Sequence, residues 1–306
     1  MTGAVTVVVV VFNSMSTLRA CLASIALDCE VVVVDQQSSD DSVDIARESR
    51  PDATILTSER NGGYSAGCNL GARNSTGGTL VFLNPDAAFI NQDGPHILAH
   101  SAATVNALVA PVVLDPDGAD ITHVRKWTTV AAEVGRQLTL QRPRTGFRSL
   151  SYGEYVTGPC LAISAQNFRA IGGFDERFFL YREEEILARR LDGIGVGCFL
   201  DPRATVSHVG GVSTSQVAEF AHRQGVRSKA LFYVLHFPKF GAALSALALT
   251  TRLLVGSVAA PLLRHSGIRP QARPALWHWR SIPEVVNGWR AKPVEPPDLK
   301  PRYLGL

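Results

Sequence analysis

The sequence predicts an α/β fold built on a mainly parallel sheet with helices on both faces, followed by a C-terminal helical segment. Three observations carry that expectation. The chain opens with a run of β-branched residues, VTVVVVV at 5–11. Apolar strand patterns then alternate with helix-like spacing as far as residue 113. With 306 residues, 46% of them hydrophobic, the chain can bury a large core without splitting into independent domains.

Residues 5–11 are too few to cross a bilayer and suit a strand covered on both faces. Residues 16–27 have helical spacing, 31–34 repeat the strand pattern, and the stretch after Asp40 reads as helix up to Pro51. Residues 53–56 form a third short strand, 67–73 a further helix, 80–83 a fourth strand and 107–113 a fifth. Such alternation implies βαβ units. Right-handed crossovers then put the strands' carboxyl ends on one edge, where ligands of open α/β sheets collect.

Residues 114–152 read as irregular, with DPDGAD and QRPRTG marking turns. Beyond Val156 come an apolar stretch, a helix near 165–171, the aromatic loop FDERFFLYR, a helix from about Glu184, and short strands at 196–200 and 204–209. From Gln216 the character changes. A long helix extends to about His236, and GAALSALALTTRLLVGSVAAPLL at 241–263 approaches the ~20 apolar residues that span a bilayer. Arg252 near its middle makes a single span costly. An amphipathic helix on a membrane surface, and a packed helix or dimer interface, both stay open. The tail, rich in proline, tryptophan and arginine, reads as peripheral.

A formal net charge of +3 is too mildly basic to imply a nucleic-acid partner. The five cysteines are scattered, with no CxxC spacing, and read as buried or partly buried thiols in a reducing compartment. No basic segment precedes the first apolar run and no A-x-A-like site follows it, so it reads as a strand rather than a signal peptide. The expected location is cytoplasmic, with peripheral contact on the inner face of the plasma membrane if residues 241–263 touch lipid.

Several stretches carry chemistry. Asp35 ends the second strand in VVVVDQQSSDDS, where a carboxylate can accept from a nucleobase or ribose hydroxyl; the alternative is a cap for the next helix. NGGYSAGCNLG at 61–71 is a glycine-rich turn entering a helix, suited to anion binding or to close packing, but it is not G-x-G-x-x-G. Asp86, in NPDA, leaves the fourth strand where a carboxylate can hold a divalent cation against a substrate diphosphate, or simply make an N-P-D turn. Glu183, Glu184 and Glu185 begin a helix, as its dipole favours, beside Phe174, Phe178, Phe179 and Tyr181; a carboxylate there also suits a general base. His208 ends a late strand in ATVSHVGG, a surface or core histidine or a metal or phosphate ligand.

In order and spacing, VVFNS, VVDQQSSDDS, NGGYSAGCNLG, FLNPDA, GGFDERFFLYREE and HVGG resemble the GT-A nucleotide-sugar glycosyltransferases of family 2, within them the bacterial rhamnosyltransferase-like branch. The resemblance runs over about residues 5–215. It implies a GT-A domain at 1–215 and C-terminal helices and tail at 216–306 that associate with membrane or with a second copy. It implies that Phe12, Asn13 and Asp35 line the nucleotide pocket, with Asn61, Gly63, Asn69 and Asp86 also on the nucleotide sugar. Asp86 and His208 would attend Mg²⁺ or Mn²⁺, and Glu184, preceded by Glu183, would be the catalytic base. It further implies inverting transfer, a donor such as dTDP-L-rhamnose, and a saccharide or lipid-linked acceptor.

The chain departs from the pattern at three places: glutamate stands where the family has its base aspartate, Ile186 replaces an aspartate two positions on, and Gln36 replaces the asparagine after Asp35. The base therefore stays open among Glu183, Glu184 and Glu185. A nucleotidyltransferase would need a basic phosphate-grasping loop near the N-terminus, where only Arg19 stands. An inactive sugar- or nucleotide-binding scaffold has only Ile186 in its favour.

Overall fold

The computed structural model describes residues 4–138, 150, 153–210, 217–265 and 274–290. Its first half follows the βαβ expectation. Strands β1 (Val5–Val11), β2 (Glu30–Asp35), β3 (Thr54–Thr57) and β4 (Thr79–Leu83) are connected through helices α1 (Leu18–Ala23), α2 (Ser42–Ser49) and α3 (Gly63–Arg73). Then follow β5 (Ala87–Phe89), α4 (Gly94–Thr104), β6 (Ala107–Leu114), β7 (His123–Lys126), α5 (Val130–Leu138), β8 (Glu154–Thr157), β9 (Cys160–Ser164), α6 (Ala165–Ala170), α7 (Glu183–Asp192) and β10 (Gly197–His208). The C-terminal helices are α8 (Ala218–His236), α9 (Lys239–His265) and α10 (Ala275–Trp289).

Eight strands form one sheet in the order β3-β2-β1-β4-β9-β6-β10-β5. It is mixed: β9 runs against β4 and β6, and β5 against β10, while the other pairings are parallel. The β-branched opening run follows from burial on both faces. Val7, Val9 and Val11 join one core with Leu18, Leu22 and Leu98; Val8 and Val10 join the other with Phe82, Phe168 and Leu187. All five cysteines are free, four buried and Cys198 half-buried.

Two readings are corrected. Residues 114–152 are not irregular throughout: β7 pairs with β8 as a separate two-stranded sheet, and α5 follows. The strands expected at 196–200 and 204–209 are one strand, β10, interrupted by a bulge between Asp201 and Thr205. Asp201 folds its carboxylate onto the Arg203 amide and guanidinium there, which kinks the strand without ending it. The C-terminal helices share a third core with the aromatic loop, where Phe178 and Ile186 pack with Val226, Leu231, Phe232, Leu249 and Val285.

Candidate active site

The carboxyl ends of β1 and β2 are knitted together by their own polar loops. Asn13, held at φ 47°, accepts from the Ser39 amide at 2.8 Å, and its amide donates to Ser38 Oγ at 3.0 Å. The Ser38 amide in turn donates to Asp35 Oδ1 at 3.0 Å. Asp35 is buried, and among the described residues no protein donor meets its Oδ2, which leaves that oxygen for a ligand. Phe12, half-buried, immediately precedes Asn13 on the chain. The α2 cap is Asp41, so Asp35 is not spent on capping.

The glycine-rich turn serves a different purpose from a simple phosphate cradle. Its amides at the start of α3 are already engaged: Gly62 with Gln36 Oε1 at 2.7 Å, Gly63 with Asn61 Oδ1 at 3.0 Å, and Tyr64 with the Phe179 carbonyl at 3.0 Å. Gly63 has φ +81°, and a Cβ there would fall 2.2 Å from the Phe179 carbonyl oxygen, so only glycine fits. Asn69 clamps the same loop from the other end, accepting from the Phe174 amide at 2.9 Å and donating to the Phe174 carbonyl at 3.0 Å. Gly63, its amide held by Asn61, and Asn69 thus fasten the aromatic loop 174–182 onto the sheet edge.

Asp86 and His208 come together. Asp86 Oδ1 lies 3.2 Å from His208 Nε2, and the Val209 amide donates to the Asp86 carbonyl at 3.1 Å. The antiparallel pairing of β5 with β10, which puts His208 opposite Ala87, sets this contact. The same turn reaches the glutamates. Asn84 N–H donates to the Pro159 carbonyl at 2.7 Å, and the amide of the preceding Gly158 lies beside the Glu184 carboxyl and favours its charged form. Asn84, two residues before Asp86, and Glu184 therefore both meet one turn, Gly158–Pro159. A second link runs over β7. Half-burial of His123, with Arg125 and His208 nearby, lowers its pKa, and Arg125 also acts on Glu184.

The three glutamates of α7 divide. Glu185, buried, accepts from Thr128 N and Oγ1 at 2.8 Å each, pairs with Arg182 at 2.7 Å and Arg189 at 2.9 Å, and receives Tyr155 Oη at 3.2 Å. Burial alone would raise its pKa, but Arg182 and these donors hold it below the usual carboxylate range. Glu183 is buried, and its Oε2 meets no hydrogen-bond partner; burial and the neighbouring Glu184 push its pKa well up. Glu184 is half-buried, and burial raises its pKa against the opposing pull of Arg125. This excludes Glu185 as a free base and leaves Glu183 and Glu184 without a neutralising ion pair.

Two consecutive residues before α7, Tyr181 (φ 70°) and Arg182 (φ 75°), adopt the left-handed conformation, which bulky side chains rarely occupy. Arg182 is what holds the turn. Its guanidinium reaches Thr128 Oγ1 at 2.7 Å, Glu185 and, at 3.0 Å, the fully buried Glu133 of α5, and it lies 4.8 Å over the Phe232 ring. Sequence reasoning missed Glu133, Thr128, Arg182, His123 and Arg125. REEE carried a signal for Arg182, since an arginine three residues before a glutamate on a helix can pair with it; nothing local marked Glu133.

Three comparisons bear on this geometry. The model of the Glycosyl transferase family 2 matches residues 6–171. An N-acetylglucosaminyl-diphospho-decaprenol L-rhamnosyltransferase of Mycobacterium tuberculosis is 28% identical over 68% of this chain and 76% of its own. The low-salt glycan biosynthesis hexosyltransferase Agl10 of Haloferax volcanii is 28% identical over 62% of this chain and 63% of its own. Among solved structures, the mannosyltransferase PcManGT of Pyrobaculum calidifontis, complexed with GDP-Man and Mn²⁺, superposes with a TM-score of 0.54 at 16% identity, covering 95% of this chain and 88% of that one. S. aureus TarS 1–349 superposes at 0.51 and 13% identity over 94% and 89%. The structural likenesses give the GT-A fold. The matched segment spans more than half of the chain, from β1 through the Asp86 turn to α6, and on that ground this protein belongs to glycosyl transferase family 2.

Proposed function

We propose that the chain is a divalent-metal-dependent, inverting glycosyltransferase that moves L-rhamnose from dTDP-L-rhamnose to a hydroxyl of a lipid-linked or other saccharide acceptor. The observation that supports this reading is that Asp86 pairs with His208 at the sheet edge, while Asn84, two residues before it, and Glu184 both approach the Gly158–Pro159 turn. The choice of sugar rests on the mycobacterial relative, an L-rhamnosyltransferase.

The donor set at Asp86 and His208, a carboxylate and an imidazole 3.2 Å apart, fits Mg²⁺ or Mn²⁺ taking its remaining ligands from a diphosphate and water. Such a cation supplies charge stabilisation for the departing nucleoside diphosphate. The use of a nucleotide sugar with Mn²⁺ by the Pyrobaculum mannosyltransferase is in keeping with this. The chain's own residues do the rest. Asp35 Oδ2 accepts from the nucleobase, with Phe12 and Asn13 beside it, while Asn61, Gly63 and Asn69 act through the loop they fasten. Glu184 takes the proton of the acceptor hydroxyl. The acceptor oxygen forms its bond to the anomeric carbon on the face opposite the diphosphate, the carbon–oxygen bond to phosphate breaks with its electron pair leaving on the diphosphate, and the configuration inverts. Burial makes Glu184 a stronger base than a solvated carboxylate, which suits the task.

The test is a thermal-shift screen of nucleotide sugars with and without Mn²⁺, followed by transfer assays. The true donor raises the melting temperature, because it binds only the folded state. Asp86→Ala should lose the Mn²⁺-dependent part of that shift; an unchanged titration removes Asp86 from the metal site. Glu184→Gln should bind donor normally and fail to transfer; transfer at the wild-type rate ends its assignment as base.

A further inference from the structure

Helices α9 and α10 lie side by side. Gly256 is close enough to His278 that an added Cβ would come within 3.1 Å of the ring, and Ala243 and Ala246 face Val285, Val286 and Trp289 across an open groove of about 310 Å³. One face of α9 is packed. Ala242, Leu249 and Leu253 are in the third core, a Cβ on Gly241 would meet Val130 at 2.6 Å, and Arg252 Nη1 donates to the Arg136 carbonyl at 2.7 Å. The other face is apolar as well. Phe240, Leu244, Leu247, Leu254 and Val258 recur in steps of three, four or seven and are 39–82% exposed. Leu276, Trp279, Val286 and Trp289 of α10 are exposed beside them. A helix in water does not ordinarily leave both faces apolar.

Charge decides what covers this surface. No acidic residue occurs from Lys239 to His265, and the one carboxylate of α10, Glu284, is buried against Arg223. The exposed polar rim is cationic: Lys239, Arg252, Arg290, and Arg280 in its pairing with Glu219. Apolar side chains with two tryptophans inside a rim of cations match anionic lipid headgroups over acyl chains. A second copy docked by a twofold axis would set those cations against themselves. By length and composition residues 239–259 could cross a bilayer, but crossing would strip α9 from α5 and carry Arg252 into hydrocarbon.

We propose that the exposed α9–α10 face docks in the plane of an anionic membrane, and that the acceptor is a lipid-linked saccharide drawn from that same membrane. This deepens the reading above and rests on it for the acceptor. Helix α8 stands between this face and the start of α7: His222 lies 6.5 Å from Trp277 of α10, while Phe220 on the other side of α8 lies 5.4 Å from Phe179, and Tyr181 packs on Gly225.

The test is co-sedimentation of the full chain with phosphatidylcholine vesicles, with and without phosphatidylglycerol, alongside metal-dependent donor hydrolysis in free solution and the oligomeric state by light scattering. The expected result is a monomer that pellets with the anionic vesicles. Leu247→Glu/Val258→Glu should cut partition about a hundredfold and Arg290→Glu about fivefold, both leaving donor hydrolysis at the wild-type rate. Equal pelleting with both vesicle types, no pelleting at all, or a dimer that Leu247→Glu dissociates overturns the membrane proposal while hydrolysis persists. Vesicle binding without any hydrolysis of dTDP-L-rhamnose would instead remove the proposed donor reaction and leave the docking intact.

Discussion

Three consecutive glutamates open α7, and the two sides of that helix treat them in opposite ways. On the inner side Glu185, together with Glu133 of α5, meets Arg182, Arg189 and Arg136, each at 3.0 Å or less. On the other side, among the described residues, neither Glu183 nor Glu184 has an ion pair, and Arg125 is the cation that acts on Glu184. Depth does not separate the two groups, since Glu133 is 0% and Glu183 6% exposed. Burial pushes all four pKa values up; arginines reverse it on one side, to about 2 for Glu133, and not on the other. The inner carboxylates are committed to holding the strained Tyr181–Arg182 turn, and the outer ones keep their basicity for chemistry.

The largest effect expected from breaking this contrast is on turnover. Glu184→Gln should lower the transfer rate by about 10²–10⁴-fold, the range of general-base contributions, with the melting temperature at or above wild type. Glu185→Gln should reverse the pattern, lowering the melting temperature because it strands part of the charge of Arg182. Rates at saturating donor, measured beside calorimetry, separate the two; a Glu184→Gln enzyme that turns over normally but melts early would dissolve the distinction.

Next in size is Glu133, which accepts from Arg182, Arg136, Gln137 and Tyr233 Oη. Its folded pKa lies below its unfolded value near 4.3, so its contribution is complete above that value and fades as the pH falls toward about 2. That difference corresponds to roughly 3 kcal/mol at neutral pH. Glu133→Gln should remove a similar amount and flatten the acid side of the stability curve, as urea melts from pH 6 down to about pH 2 would reveal. Gly63→Ala should be milder, on the order of 2 kcal/mol, because a Cβ at φ +81° drives into the Phe179 backbone. Its signature is a lowered kcat with the metal-dependent nucleotide shift retained, since the loop it displaces leads directly into α7 and Glu184 and does not include Asp86.

How much of this could be read from the chain follows from where each signal lies. Asp35 and His208 end strands and Asp86 follows β4 by three residues, so their place along one edge follows from strand direction; nothing in that rule places Glu184, on α7. The inner cluster has no such local signature. The fully buried residues of α5 are Glu133 and Gln137, while its apolar Val130, Val134 and Leu138 are half-buried or exposed, so the apolar stripe points away from the side that the fold buries. The Tyr233 that completes the cluster comes 100 residues later. Asn69 was legible as a motif residue, but its work on Phe174 lies 105 residues away and emerges only on folding. The bulge at Asp201 likewise made one strand read as two.

The smallest predicted effect is also the sharpest test of which outer glutamate acts. Glu184 must be deprotonated to take a proton, so activity falls as the pH drops through its pKa, which burial has raised. Arg125, an exposed residue of β7, opposes that rise, while the raised pKa of Glu183 traces first to burial and then to Glu184. Arg125→Gln should therefore move the acid limb of kcat/KM to higher pH, by only a few tenths of a unit because water and salt screen an exposed guanidinium. Raising the ionic strength should produce part of the same shift in the wild type and little in the variant. An acid limb that ignores both changes would transfer the role of base from Glu184 to Glu183, whose surroundings hold no comparable cation.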